Sequence, residues 1–167
     1  MWRHPLVTPG IIVSGVFATA AIWVPLVLAS LPFLQASLPV LIILAMCLYA
    51  AAAISGAVSI YQIATILEVD KPAVYAAMVA IFPQVALVKA LSVLTQRVLL
   101  DLKSDERVKE DPDVKERVEV LSKLVDPFDL VLALITFGLH TAYYTIKSYF
   151  LLVSLAHIMD NLSINTR

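Results

Sequence analysis

The chain has 167 residues, of which 60% are hydrophobic and 15% charged, with a net charge of −1. Soluble domains run at about 45–50% apolar and about 25% charged, so an ordinary soluble domain is excluded. There is also no basic stripe of the kind nucleic acid requires.

The charge is segregated. Sixteen of the 25 charged residues lie between Asp101 and Asp129, and from Pro5 to Leu67 there is no Asp, Glu, Lys or Arg. Continuous apolar runs argue against a membrane β-barrel, which shows alternating strands of about ten residues. The expectation is an all-α integral membrane protein, one transmembrane domain over residues 1–167. It is read as a four-transmembrane-helix bundle with a short helical cytoplasmic hairpin between helices three and four.

The N-terminal Met1–Pro5 with Arg3, followed by an apolar run, resembles a signal peptide with Ala18-Thr19-Ala20 as its cleavage site. The apolar run continues to Leu34, so the segment reads as a retained helix. This first helix spans about 11–29. Pro25 inside it removes a backbone donor and should kink it. Ser14, Gly15 and Ala18 are small residues on one face, suited to close helix packing. Gly10 lies just outside, where enlargement is expected to be mild.

Prolines at 32 and 39 frame a first turn without charge, which predicts a tight antiparallel hairpin. The second helix spans about 40–67, longer than a bilayer needs, so it tilts or protrudes. Ala52/Gly56 and Ser55/Ser59 are small-xxx-small pairs expected to pack on the first helix, with a partner subunit or lipid as the alternatives. Ser59, Gln62 and Thr65 give it a polar end, and Glu68, Asp70 and Lys71 form a charged turn. Cys47 is the only cysteine, so no intrachain disulfide is possible; in its apolar run it reads as a small hydrophobe.

The third helix spans about 72–100, starting at Pro72 and kinked by Pro83. Leu91, Leu94, Val98 and Leu102 recur at helical spacing, an amphipathic stripe that predicts exit into water near Lys89–Arg97. In the charged loop 101–126, Asp105/Lys109, Asp113/Arg117 and Glu119/Lys123 are i, i+4 pairs in the better orientation. Asp111-Pro112 predicts a turn. Val114, Val118, Leu121 and Val125 predict a short amphipathic helix ending at Asp126-Pro127.

The fourth helix spans about 128–159. At about 100° per residue, Thr136, His140, Tyr143, Lys147, Ser154 and Asn161 share a narrow wedge, flanked by Tyr144 and His157. Six basic residues in the loop put it in the cytoplasm by the positive-inside rule. Four crossings then put both termini and the Glu68–Lys71 turn outside; the loop's acids and Arg3 oppose that orientation.

Lys89, 17 residues after Pro72, and Lys147, 19 residues after Phe128, come at about 1.5 Å per residue near opposite interfaces, where they are expected to snorkel. No carboxylate is evident within the apolar segments to pair with them, which argues against a proton relay. Replacing Lys147 by Met is then expected to cost little. His140, near mid-membrane, reads as a neutral histidine hydrogen-bonded across a helix contact, with a proton- or substrate-contacting role and haem or metal ligation as alternatives. Ser154, His157 and Asp160 have the residue types of a hydrolase triad, and His157 with Asp160 those of half a metal site. All sit on one helix end, and a polar helix terminus explains them. Asn161-Leu162-Ser163 is formally a glycosylation acceptor.

No catalytic motif is found, and no catalytic, cofactor-binding or metal-binding residue is assigned. The expected function is a non-enzymatic accessory or scaffold subunit of a membrane complex. Its partners would be the lipid bilayer and other membrane subunits or further copies of itself, with no cofactor. The alternative is a small homo-oligomeric transporter or channel whose pathway uses the polar face Thr136, His140, Tyr143, Lys147 and Ser154.

Overall fold

The computed structural model describes Leu6, Thr8–Leu31, Leu38–Asp126, Phe128–Thr136 and Leu139–Ile164. The described residues form α-helices without a strand: α1 (Gly10–Ser30), α2 (Leu38–Ile66), α3 (Pro72–Ile81), α4 (Pro83–Ser104), α5 (Glu106–Glu110), α6 (Pro112–Lys123), α7 (Phe128–Ile135) and α8 (Leu139–Ile164). The expected first turn at residues 32–37 lies outside the described residues, as does Arg3.

α1 and α2 are apolar all round, as expected of helices without a water-facing side. Pro25 lies inside α1, which continues past it to Ser30. The two helices run antiparallel and approach through small residues. Ser14 Oγ donates to the Ala52 carbonyl at 2.7 Å, and a Cβ added at Gly56 would meet Ser14 Oγ and stand 2.8 Å from Val79 Cγ1. Gly10 requires a correction. It is the first residue of α1, not a loop residue, and a Cβ there would meet Ser59 Oγ and stand 3.2 Å from the Ser55 carbonyl.

The expected third helix is two helices. Phe82, at φ −132° and ψ 66°, leaves the helical region and separates α3 from α4. Pro83 has no N–H to continue the first helix and takes the N-terminal position of the second, which its fixed φ favours. The chain does not continue in the same direction. The Tyr49 hydroxyl contacts the Ile81 carbonyl at the end of α3. Leu102, near the end of α4, lines one cavity with Leu67 at the end of α2 and with Met159 and Leu162 of α8. The start of α3 and the end of α4 therefore share one end of the molecule. A tight turn with Glu68 and Lys71 in the left-handed region (φ 50° and 57°) launches this hairpin.

The expected fourth helix is also divided, into α7 and α8, and these run in opposite senses. Asp129 at the start of α7 contacts Lys147, two turns into α8. The two hairpins meet at their tips, where Thr141 Oγ1 donates to the Gln84 carbonyl at 2.8 Å. Gln84 Nε2 in turn donates to the Ala18 carbonyl of α1 at 3.4 Å.

α8 ends where α5 begins: Arg107 Nη1 donates to the Leu162 carbonyl at 3.1 Å. The Glu68–Lys71 turn, the charged loop and the C-terminal end of α8 thus lie at one end of the molecule. That corrects the expectation that the turn and the C-terminus oppose the loop. The reason is length: α3 and α7 have 10 and 8 residues, about 15 and 12 Å at the helical rise, too short to reach the other end.

The core sits around α4. Its predicted stripe Leu91, Leu94, Val98 and Leu102 is buried, together with Leu152 and Leu155 of α8, Val108 of α5 and Val118 of α6. Val114, Leu121 and Val125 pack on the same core, so the amphipathic faces of the loop are covered by the chain itself. The Asp111 carboxylate caps α6 by accepting from the Asp113 and Val114 N–H groups, which matches the expected turn. Asp105 caps α5 and pairs with Arg107 at 2.7 Å in place of the expected Lys109.

Candidate functional site

Asp129 is the centre of a polar cluster at the start of α7, where the charged loop gives way to an apolar run. The Asp126 carboxylate accepts the Phe128 N–H at 2.9 Å, starts α7, and puts Asp129 in the first turn. The positive end of a helix favours a carboxylate there. Asp129 is 5% exposed.

Two side chains of α8 reach it. Lys147 Nζ donates to Asp129 Oδ2 at 3.0 Å. His140 Nε2 lies 2.8 Å from Asp129 Oδ1. A carboxylate oxygen can only accept, so Nε2 carries the proton in this pairing. Thr136 closes the turn: its hydroxyl donates to the Leu132 carbonyl at 2.7 Å and accepts the His140 backbone N–H at 3.0 Å. Aromatic rings complete the surround. The Tyr143 ring is 5.3 Å from that of His140, and Lys147 Nζ stands 5.8 Å over the Tyr144 ring, a cation–π distance.

The structure therefore brings His140 and Lys147 together on Asp129, with Thr136 holding the His140 backbone. Tyr143 borders them with its ring exposed. Ser154 does not join. It donates to the Phe150 carbonyl of its own helix and lines an open groove of about 660 Å³ between α6 and α8, with His157 on the same wall and Asp113, Glu116 and Arg117 opposite. Asn161 Nδ2 is 3.5 Å from His157 Nε2.

Among the packing candidates, Ser14, Gly15, Ala18 and Ala52 are buried. Gly15 lies against Thr145 of α8: a Cβ there would stand 2.6 Å from Thr145 Cγ2. Among the described residues no group of three His, Cys, Asp or Glu side chains converges as a metal site.

The expectation that no carboxylate pairs with Lys147 is overturned by Asp129. Counted with the charged loop, it belongs to the apolar segment. The signal was its position just after Pro127, at the start of an uninterrupted apolar run. Lys89, by contrast, is exposed on α4.

Comparison with protein-family models, curated proteins and solved structures finds no match for this chain.

Proposed function

We propose that the chain is a multi-pass membrane protein acting as a non-enzymatic structural or accessory subunit of a membrane complex. Among the described residues, two helices are long and apolar enough to cross a bilayer: Gly10–Ser30 and Leu38–Ile66. Only 28% and 17% of their most apolar windows are buried. Core helices of a soluble protein would be mostly covered, so hydrocarbon is the cover that fits these faces.

α3 with α4, and α7 with α8, then become hairpins that enter from the charged end and turn back inside the membrane. Their tips are apolar and uncovered: Ile81, Phe82, Ile135 and Leu139 are all exposed. Irregular backbone at membrane depth is tolerated where protein supports it, and the Thr141–Gln84–Ala18 chain of hydrogen bonds supplies that support. Basic residues at the charged end favour the cytoplasm for it.

The observation that carries the structural reading is the closed Asp129 cluster. Each carboxylate oxygen is taken by a donor from α8, so the polar face of α8 locks a hairpin. A second reading, a small oligomeric transporter, is favoured by the same residues for a different reason. A carboxylate paired with Lys and His in apolar segments is the kind of group ion pathways use.

Flux in liposomes for wild type and Asp129→Asn, with cysteine accessibility along Thr136–Ser154, separates the two. The structural reading expects no flux and no accessibility repeating every three to four residues. Flux abolished by Asp129→Asn would establish the transporter instead.

A further inference from the structure

The two hairpins stop at the same depth, since Thr141 of one bonds the Gln84 carbonyl of the other, and two registers measure the depth of the α3–α4 tip. One tip meets α1 at Ala18, through Gln84. From Ala18 to Ser30, α1 runs on for about 18 Å at 1.5 Å per residue. The same hairpin meets α2 at Tyr49, through the Ile81 carbonyl. From Tyr49 back to Leu38, α2 runs on for about 17 Å. Both values exceed half of a hydrocarbon core of about 30 Å.

Burial agrees. α1 buries no residue beyond Ala21, and between Leu41 and Ala52 α2 buries none. Leu26, Leu38, Ile43 and Met46 are among the most exposed apolar side chains of the far halves.

We infer that the protein is a membrane wedge that favours, and at high density produces, bilayers convex on the side of the charged loop. The inference rests on the two-span reading given above. Of the described residues, the leaflet next to the charged loop receives α1, α2, α3, α4, α7 and α8, and the far leaflet receives α1 and α2. The difference is four helix cross-sections, an excess of about 300 Å² for helices about 10 Å across. A flat bilayer must crowd one leaflet or stretch the other to hold it. A bilayer curved away from the charged end supplies that area without strain.

The occupant of the uncovered far halves is lipid. From Ala20 to Ala29 and from Leu38 to Leu48 every side chain is apolar or a cysteine, with Cys47 exposed among them, and exposed Ile81, Phe82, Ile135 and Leu139 lie at the hairpin tips. The Asp129 clamp keeps the excess in place. It holds α7 against α8, so this hairpin cannot extend into a full crossing.

The test uses the full chain reconstituted into phosphatidylcholine–phosphatidylglycerol vesicles of mixed diameter. The chain carries a fluorophore at Ser104→Cys in a Cys47→Ala background, and an impermeant quencher selects molecules with the charged loop outward. The expected result is a protein-to-lipid ratio that rises as vesicle diameter falls for outward molecules and not for inward ones. A ratio independent of diameter would overturn the wedge. Impermeant labelling of Asp70→Cys and Ser104→Cys in the same vesicles tells the two failures apart. Opposite sides sink the two-span reading itself; the same side with no diameter dependence sinks only the wedge. Oxidative cross-linking of the native protein at Cys47 in membranes is the second readout. The chain is expected to stay monomeric, and an efficient Cys47 dimer would overturn the assignment of lipid as the cover of the far halves, because a second copy would then occupy them.

Discussion

Lys147 Nζ lies 3.0 Å from Asp129 Oδ2, and the two residues stand on antiparallel helices joined by a short turn. This contact changes what a substitution at Lys147 should do. A snorkelling lysine would be replaced by Met at little cost. Here Lys147→Met leaves a 5% exposed carboxylate with His140 alone. Removing one partner of a buried pair costs about 3–5 kcal/mol; the retained His140 contact brings Lys147→Met below that range, to about 2–3 kcal/mol. The double variant Asp129→Leu/Lys147→Met should recover most of that loss. Unfolding in mild detergent, as a double-mutant cycle, measures the coupling. A cycle that adds without coupling would mean the pair holds nothing.

His140→Leu should act through the same carboxylate and lose one hydrogen bond to a charged group, about 1.5–3 kcal/mol. That exceeds the small effect expected of a neutral contact across two helices. In the Asp129→Leu background the same change should lose most of its effect, since the acceptor is gone. The readout is again detergent unfolding, and an equal loss in both backgrounds would place the role of His140 elsewhere.

The glycines of the first hairpin face side chains, not open space. Gly15→Ala and Gly56→Ala should each destabilise by about 1–3 kcal/mol through overpacking, against Thr145 and against Ser14 with Val79 respectively. Gly10→Ala should join them, because it meets Ser59. Ala29→Leu, on an exposed face of α1, is the control and should change little. Thermal stability of the four variants in one detergent checks the order. Gly10→Ala as mild as Ala29→Leu would contradict the register of α1 on α2.

At the charged end, Asp105 accepts hydrogen bonds from the Arg107 side chain and backbone, which hold its carboxyl below the usual carboxylate range. A carboxylate with a lowered folded pKa contributes stability above its unfolded value of about 3.9. That contribution is lost as the pH falls through the lower folded value. The expected outcome is an Asp105 carboxyl that titrates below the usual carboxylate range by NMR in detergent micelles. The N-terminal turn of α5 should lose amide protection only in that acidic window. Arg107→Gln should move the titration of Asp105 up. No movement would show that Arg107 is not the cause.

Much of the fold was legible. The apolar runs framed by prolines located α1 and α2 to within two residues, and the Asp111-Pro112 cap with Val118 at its stripe located α6. Local signals settle such elements because a cap, a proline or a periodic face acts within one or two turns. The hairpins were not legible for the opposite reason. Pro83 announces a break, but a break does not say whether the chain continues or reverses. That is decided by Ile81 on Tyr49 and Gln84 on Ala18, contacts 32 and 66 residues apart. The Asp129 cluster depends on the second reversal, from α7 into α8. His140 and Lys147 share one face of α8 on helical periodicity alone, but only a turn back after α7 brings a carboxylate to them.

The membrane architecture is tested most directly by the side on which four cysteines react, each in a Cys47→Ala background. Asp70→Cys, Ser104→Cys and Asn161→Cys mark the charged end, and Ser30→Cys marks the far end of α1; all four positions are exposed. Two spans with two returning hairpins predict that an impermeant thiol reagent labels the first three from one side of the membrane and Ser30→Cys from the other. Labelling of Asp70→Cys from the side opposite Ser104→Cys would mean that α3 and α4 together cross the bilayer, and would contradict the account.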